Sequence, residues 1–280
     1  MHDRRVKFTI IKETKIELSI TRKCQILNVN KSSYYKWLES KRPHDDTIDK
    51  LVIDIFNKHK GTYGKKRIVI SLRNMGYVVN HKKVYRIMKK YDLKARVRRK
   101  WKVGKYIKHN TYDNVLDRNF VATVPNEKYT SDVTQLKSIN NKKYYLYPIV
   151  DLYNNEIKAY SVHSSNDNYL VKSTLEKVDL TNAKIIHSDQ GSQFTSYMYT
   201  EHLAKYPNLV ISMSHVGECY DNAQMESIFG HIKDEFYIFY NPQTENELYS
   251  NMRDYINYYN NERIQIRLKM SPTQYRTQNS

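Results

Sequence analysis

Apolar residues recur at helical spacing in the first 45 positions of the chain. Two short stretches each place three apolar side chains on one face, and the polar segment "NVNKSS" separates them. This spacing predicts two amphipathic helices around a turn, and Pro43 ends the unit. We therefore expect a small helix-turn-helix-like region over residues 1–45, with faces formed by Ile20, Cys24, Leu27, Tyr34, Trp37 and Leu38.

The same periodicity continues through residues 46–93 and predicts a second helical domain. A helix beginning near Thr47, a turn at "GTYG" and a helix over 65–74 precede Asn80, a residue suited to cap a helix over 81–91. The last helix combines an apolar stripe with a cationic face, as a DNA recognition helix does. An ordinary solvated charged face is the alternative. The cationic face consists of His81, Lys82, Lys83, Arg86, Lys89 and Lys90.

Residues 94–124 contain too few apolar positions for a core and are predicted to be a basic linker. The stretch 94–108 carries eight Lys or Arg with two aromatic residues, Trp101 and Tyr106. Such an arm can follow a phosphate backbone and stack on unpaired bases, although a plain linker is the other possibility. The candidate DNA contacts are Arg96, Arg98, Arg99, Lys100 and Lys102.

From about residue 127 the pattern changes to short apolar runs separated by turns. Three consecutive runs predict antiparallel strands, and helices alternate with strands after them. This order is that of an α/β ribonuclease-H-like fold, a mixed five-stranded sheet with flanking helices, over residues 125–240. A helical tail is expected over 241–280. The predicted strands are 128–136, 144–151, 157–162, 183–188 and 209–212, and the predicted helices are 168–177, 196–205 and 222–237.

Charge changes this picture because it is segregated along the chain. The net charge is +18. Residues 1–110 hold 31 Lys and Arg against 9 Asp and Glu, whereas residues 111–280 hold 16 against 20. A basic half of this size predicts a polyanion partner, with a ribosome-bound or simply soluble basic protein as the alternative.

Cysteine content and hydropathy indicate the cellular compartment. The two cysteines, Cys24 and Cys219, lie far apart and form no zinc-binding pattern, which favours a reducing cytoplasm. No apolar run is long enough for a membrane span, and the charged start does not resemble a secretory signal.

Three acids occupy special places in the predicted core. Asp132 lies within the first strand in "YTSDVT", Asp189 ends the fourth in "HSDQGSQF", and Glu226 lies one turn into the long helix. If the first and fourth strands are central neighbours and the helix crosses their ends, the three acids converge. Grouped carboxylates repel one another and persist with cations between them. Oxygen ligands favour Mg²⁺ or Mn²⁺, and two such ions suit in-line phosphoryl transfer.

The long helix supports this placement. Its apolar stripe leaves Glu226 at the border, and Lys233, seven residues on, lies on the same side, within reach of a phosphate. An ordinary amphipathic helix with solvated charges is the alternative. Asp221 is predicted to cap this helix, paired with Gln224.

"YTSDVT", "HSDQGSQF" and "CYDNAQMESIFGHIKDE" resemble the signature blocks of DDE insertion-sequence transposases with a retroviral-integrase-like core. More narrowly, the chain is similar to the second-frame, OrfB-type product of two-frame elements. "LNVNKSSYYKW", "YGKKRI", "VNHKKVYRIM", "YYNNERIQIRL" and "SPTQYR" extend the similarity over nearly the whole chain.

The resemblance implies that Asp132, Asp189 and Glu226 are catalytic residues and metal ligands, and that Lys233 contacts terminal DNA. It further implies 3′-end cleavage and strand transfer with two metal ions. The expected DNA substrates are paired terminal inverted repeats and target DNA. We expect a homo-oligomer on DNA that forms a circular intermediate, an upstream-frame partner or fusion, and a place at the bacterial nucleoid. The alternatives are a DNA-binding regulator with an inactive core and a structure-specific nuclease without strand transfer.

Overall fold

The computed structural model describes residues 2–39, 47–96, 112–215 and 218–279. The chain divides into two compact units, Met1–Lys50 and Leu51–Ser280. Within the described ranges, no helix has both the length and the apolar character needed to cross a membrane.

The first unit is a small helical cluster built from α1 (His2–Glu13), α2 (Ile20–Ile26) and α3 (Lys31–Glu39). The sequence predicts α2 and α3, whose apolar faces are confirmed, but not α1. Phe8 and Ile11, three positions apart on α1, pack with Cys24 and Tyr34 in one buried cluster. The helix-turn-helix-like pair therefore needs a third helix to close its core.

Three further helices were predicted from periodicity; the first begins just before the boundary at Lys50, and the other two lie in the second unit. They are α4 (Thr47–Lys58), α5 (Lys65–Asn74) and α6 (His81–Lys90). Asn80 caps α6 as expected, because its side-chain oxygen accepts a hydrogen bond from the Lys82 amide at 2.9 Å. Val84 and Ile87 of α6 are buried. The cationic residues of this helix therefore lie on the opposite, exposed face.

The sheet is mixed and has the predicted ribonuclease-H-like strand order. β3 (Tyr145–Asp151) pairs with β4 (Glu156–His163) on one side, and on the other with β1 (Lys128–Ser131) and β2 (Thr134–Gln135). β1 pairs in parallel with β5 (Ile185–Ser188), and β5 pairs in parallel with β6 (Val210–Met213). The expected central position of the first and fourth predicted strands is thereby confirmed.

The first predicted strand is interrupted rather than continuous. β1 and β2 keep the same register against β3, since Ser131 pairs with Ile149 and Thr134 with Leu146. The break falls at Asp132 and Val133, where the Asp132 carboxylate accepts a hydrogen bond from the Val133 amide at 2.7 Å. This local bond competes with strand pairing, as Asp side chains commonly do. The sheet thus has six segments in five positions.

Helices cover both faces of the sheet. α9 (Ala223–Phe239) and α10 (Glu245–Asn261) pack on one face, and α7 (Asn168–Leu175) and α8 (Tyr197–Leu203) on the other. The predicted apolar stripe of α9 is confirmed in the first core, where all its members are buried: Met225, Ile228, Phe229, Ile232 and Phe236.

The free edge of β4 is occupied by a side chain of α10. The Asn260 amide donates to the Ile157 carbonyl at 2.9 Å and its oxygen accepts from the Ile157 amide at 3.0 Å. One asparagine therefore satisfies both outward backbone groups of Ile157, which an added strand would otherwise pair.

The tail joins the helices α4–α6 to the core. After α10, a loop leads to α11 (Pro272–Asn279). Arg263 in this loop is fully buried and donates two hydrogen bonds, at 2.6 and 2.7 Å, to Glu235 of α9. Arg67 of α5 reaches the same carboxylate at 3.3 Å, and Tyr63 accepts a bond from the Ile264 amide at 2.8 Å. Buried polar contacts thus fix the helical domain, α9 and the tail in one unit.

Candidate active site

Asp132 and Asp189 lie side by side at one edge of the sheet. Each follows a central strand, and β1 and β5 pair in parallel up to Thr130 and His187, two residues before the aspartates. Both aspartates are half-buried. Because the carboxyl ends of neighbouring parallel strands open at the same edge, two buried strands suffice to bring the acids together.

Asp132 is held by two hydrogen bonds and sits close to other negative charge. One carboxylate oxygen accepts from the Val133 amide at 2.7 Å and the other from the Asn222 side chain at 2.9 Å. Burial raises the pKa of Asp132 well above its ordinary value, and the nearby Asp189 and Glu226 carboxylates raise it further. The two hydrogen bonds act in the opposite direction. The three predicted acids are therefore electrostatic neighbours.

The turn after β5 explains the glycine in "HSDQGSQF". The Gly191 amide donates to the Asp189 carboxylate at 2.9 Å. A Cβ at this position would lie 2.9 Å from that same oxygen and 2.9 Å from the side-chain oxygen of Gln193. Only glycine leaves room for the carboxylate to fold back onto its own loop.

The strand side of this loop is fixed by a buried histidine. The His187 ring bonds the hydroxyl groups of Ser212 and Ser214 at 2.9 and 3.1 Å. Burial lowers the pKa of His187 to about 4. The neutral ring therefore ties β5 to β6 directly beneath Asp189.

Glu226 and Lys233 lie on α9 as the helical spacing predicts. Glu226 is in the first turn and its side chain is exposed. Lys233 is half-buried; burial lowers its pKa, while the Asp132 charge opposes this change. The lysine therefore lies close enough to Asp132 for their charges to interact, in agreement with its position seven residues after Glu226 on the same helix.

No group of three His, Cys, Asp or Glu side chains in the described ranges has the spacing of a metal centre. Asp189 and Glu226 act on Asp132 through their charges, but the three carboxylates are not spaced to bind one metal ion in this structure.

The start of α9 is fixed differently from the sequence expectation. The N-cap is Asn222, not Asp221, and it makes no side-chain cap bond. Asp221 instead accepts bonds from Arg118 at 2.6 Å and from the His215 ring at 2.9 Å. Burial alone would raise the pKa of Asp221, but these bonds outweigh it and lower the pKa. Gln224 bonds Asn155, so no capping box forms.

Asn222 is the site residue that the sequence did not single out. Its side-chain amide donates a hydrogen bond to Asp132. Because Asn222 is the N-cap of α9, the beginning of this helix holds the side chain in place. Only its place directly before the long helix hinted at this role, because helix starts favour Asn and Asp for capping.

The predicted DNA-binding residues fall into three groups. The cationic residues of α6 are exposed, and Arg96 is exposed beside a cavity that also involves Lys60, Lys94 and Ile238 of α9. Arg98, Arg99, Lys100 and Lys102 lie outside the described residues.

Comparison with known families matches three segments of the chain. Residues 43–101 match an HTH-like domain, and residues 122–219 and 226–279 match integrase core domains. The first integrase core match begins at residue 122, within the predicted linker 94–124, and Leu116 and Ala122 in this linker are already buried.

Individual relatives extend the similarity over most of the chain. The InsK protein of insertion sequence element IS150 from Escherichia coli is 35% identical and covers 89% of this chain and 90% of its own length. Transposase InsF of insertion sequence IS3A, also from Escherichia coli, is 30% identical over 82% of this chain and 83% of its own.

A chain of the simian T-cell lymphotropic virus intasome structure shares the fold. The TM-score is 0.51 at 14% identity, with 79% of this chain and 71% of that chain covered.

Proposed function

The chain belongs to the insertion-sequence transposases that carry an integrase core domain, and from this premise we propose that it cleaves element DNA at its 3′ ends and transfers the freed strand. The observation that supports this chemistry is that Asp132 and Asp189 follow neighbouring strands at one edge of the sheet, where the charges of Asp189 and Glu226 both act on Asp132. Three carboxylates at this edge suit phosphodiester chemistry better than acyl transfer, since Ser192 forms no hydrogen bond to a His or Asp side chain within the described ranges.

The chemistry of the donor set, though not its spacing in this structure, fits divalent cations of the Mg²⁺ or Mn²⁺ type. All three side chains offer carboxylate oxygens, and the charges of Asp189 and Glu226 act on Asp132. Asp132, Asp189 and Glu226 would hold the ions. When bound, two such ions activate the attacking oxygen and stabilise the departing 3′ oxygen.

The chain's own residues position the acids and the DNA. Asn222 and the Val133 amide orient both oxygens of Asp132, and the Gly191 amide orients one oxygen of Asp189. Lys233 lies where it can neutralise a phosphate that approaches Asp132. Its partial burial strengthens that interaction, because a desolvated ammonium is less screened by water.

The proposed substrates are terminal inverted repeats and target DNA. The exposed cations of α6 would engage the repeats, and a homo-oligomer on DNA would hold the two ends together. Joining one strand to the other end would give a circular intermediate. An upstream-frame partner or a fusion to it would complete the machinery.

An isosteric substitution tests the catalytic assignment. Asp189→Asn keeps the acceptor for the Gly191 amide but removes the charge, so cleavage of a synthetic duplex bearing the element's terminal repeat should fall at least a hundredfold. Binding of the same duplex should not change. Asp254→Asn, an exposed acid on α10, is the matched control and should cleave normally.

Two further outcomes separate the alternatives. Cleavage by Asp189→Asn at the wild-type rate would refute the assignment, and a wild-type chain that binds but never cleaves would be a regulator. Ends supplied with free 3′-hydroxyls distinguish a nuclease, which yields no joined product.

A further inference from the structure

A basic groove lies between the helical DNA-binding domain and the tail of the second unit. It has a volume of about 590 Å³ and is bordered by α5, the first residue of α6 and the loop after α10. Four Lys or Arg side chains and one histidine border it, and no acid does: Lys65, Lys66, Arg73, Lys269 and His81.

These five side chains are exposed and available to an anion. None of them forms an ion pair with an acid of the described ranges; Arg73 donates only to the Val79 carbonyl at 3.3 Å. The Lys65 ammonium lies 5.3 Å from the centre of the Tyr85 ring, which holds it over the junction of α5 and α6. Like charges left this close favour a polyanionic ligand.

The loop that supplies Lys269 is rigidly built. Gln265 and Met270 form a backbone bridge at 2.9 Å, which closes a four-residue turn. The Asn74 side chain of α5 donates to the Lys269 carbonyl at 3.0 Å, and buried Leu268 anchors the turn. The tail is thus fixed against the helix that precedes the predicted recognition helix.

Lys269 also adopts an uncommon backbone conformation. Its φ is +63°, a left-handed value that lysine rarely occupies. Asparagine or glycine would fit this position at lower cost, so the turn keeps a long cation where a small residue is favoured. A lysine kept at a strained position on the border of the groove indicates that its positive charge serves the ligand of the groove.

We infer that this groove binds the sugar-phosphate backbone of duplex DNA, so that the tail loop and the helical domain form one DNA-binding surface. In helix-turn-helix proteins the second helix enters the major groove with its N-terminal residues, and the first contacts the adjacent backbone. In this chain α6 corresponds to the second helix and α5 to the first. Lys269 adds a further contact to the DNA backbone beside that of α5. The inference builds on the transposase assignment but does not need the proposed strand chemistry.

Salt dependence of binding tests the groove directly. Two variants remove one charge from each side: Lys66→Gln on α5 and Lys269→Asn on the loop, where asparagine tolerates the positive φ. The probe is a fluorescein-labelled duplex of arbitrary sequence, titrated by anisotropy between 50 and 200 mM KCl. Lys205→Asn, an exposed lysine after α8, is the control.

Each lost phosphate contact should flatten the plot of log Kd against log salt by about 0.9 and weaken binding about eightfold at 0.1 M. The double variant should show about twice the change in slope. The control should match wild type, and no variant should have a lower unfolding midpoint than wild type.

An unchanged slope for Lys269→Asn overturns the inference even if Lys66→Gln weakens binding, because the tail would then lie outside the surface. A wild-type chain without salt-dependent binding overturns it as well. Cleavage by the same preparations separates the two proposals: flattened slopes without any cleavage support the groove and refute the strand chemistry.

Discussion

Replacing Gly191 with alanine should impair catalysis through a single methyl group. The new Cβ would lie 2.9 Å from an Asp189 carboxylate oxygen, whereas ordinary contacts begin near 3.4 Å. The carboxylate must therefore move by about 0.5 Å, and the bond from the Gly191 amide at 2.9 Å must lengthen or bend. Since a misplacement of about 1 Å can cost about a hundredfold, we expect cleavage to fall between about tenfold and a hundredfold.

The same substitution should have a small effect on the fold. The position is half-exposed and both crowded oxygens belong to side chains, so the free energy of unfolding should fall by about 1 kcal/mol, the lower end of overpacking costs. Single-turnover cleavage of a terminal-repeat duplex and urea unfolding measure the two effects.

A second glycine provides the control. Gly64→Ala places its Cβ 3.8 Å from that of Ala95, an ordinary contact, and should cleave at the wild-type rate. Wild-type cleavage by Gly191→Ala would refute the idea that this loop sets the Asp189 geometry.

Three more predictions concern buried or half-buried polar groups. Asn222→Ala removes a bond to the Asp132 carboxylate, and we expect about a tenfold slower cleavage at saturating DNA with unchanged DNA affinity. Arg263→Met leaves Glu235 buried without its main partner and should cost about 3–5 kcal/mol in urea unfolding, most of which the added Glu235→Met should restore. Burial lowers the pKa of His59 to about 4. Between pH 6.5 and pH 4 the unfolded chain therefore binds more protons than the folded chain, and the free energy of unfolding should fall by up to about 1.4 kcal/mol for each pH unit toward pH 4. His59→Phe should lose this part of the slope.

Each of these predictions has a clear contrary result. Weakened DNA binding by Asn222→Ala would assign the side chain to the DNA rather than to Asp132. Additive costs of the Arg263 and Glu235 changes would show that the pair does not act as a unit. Equal pH slopes for wild type and His59→Phe would place the proton uptake elsewhere.

The sequence predicted those parts of the fold that depend on neighbours along the chain. Apolar spacing of 3.6 residues located α5, α6 and the buried stripe of α9, because each helix buries one continuous face. The order of the apolar runs placed the strand that holds Asp132 beside the strand that ends at Asp189.

Features that depend on distant partners were not accessible in this way. Asp221 had the sequence position of a helix cap, but Arg118, which is 103 residues away, binds its carboxylate. The interruption of the first strand has a local cause instead, because Asp132 bonds the amide of its own neighbour, and residue spacing alone does not show such a bond. Arg263 gave no signal of burial, because a lone arginine after a polar helix is ordinarily solvated.

The contacts between the N-terminal helices and the tail also govern when the protein can finish folding. His59 meets Tyr258 across 199 positions, and Tyr63 meets Ile264 across 201. A ribosome must therefore have released most of the chain before α4 and α5 find their partners. Nascent chains that stop before Tyr258 should expose these helices to proteases and chaperones, and such long-range closure should make maturation slow.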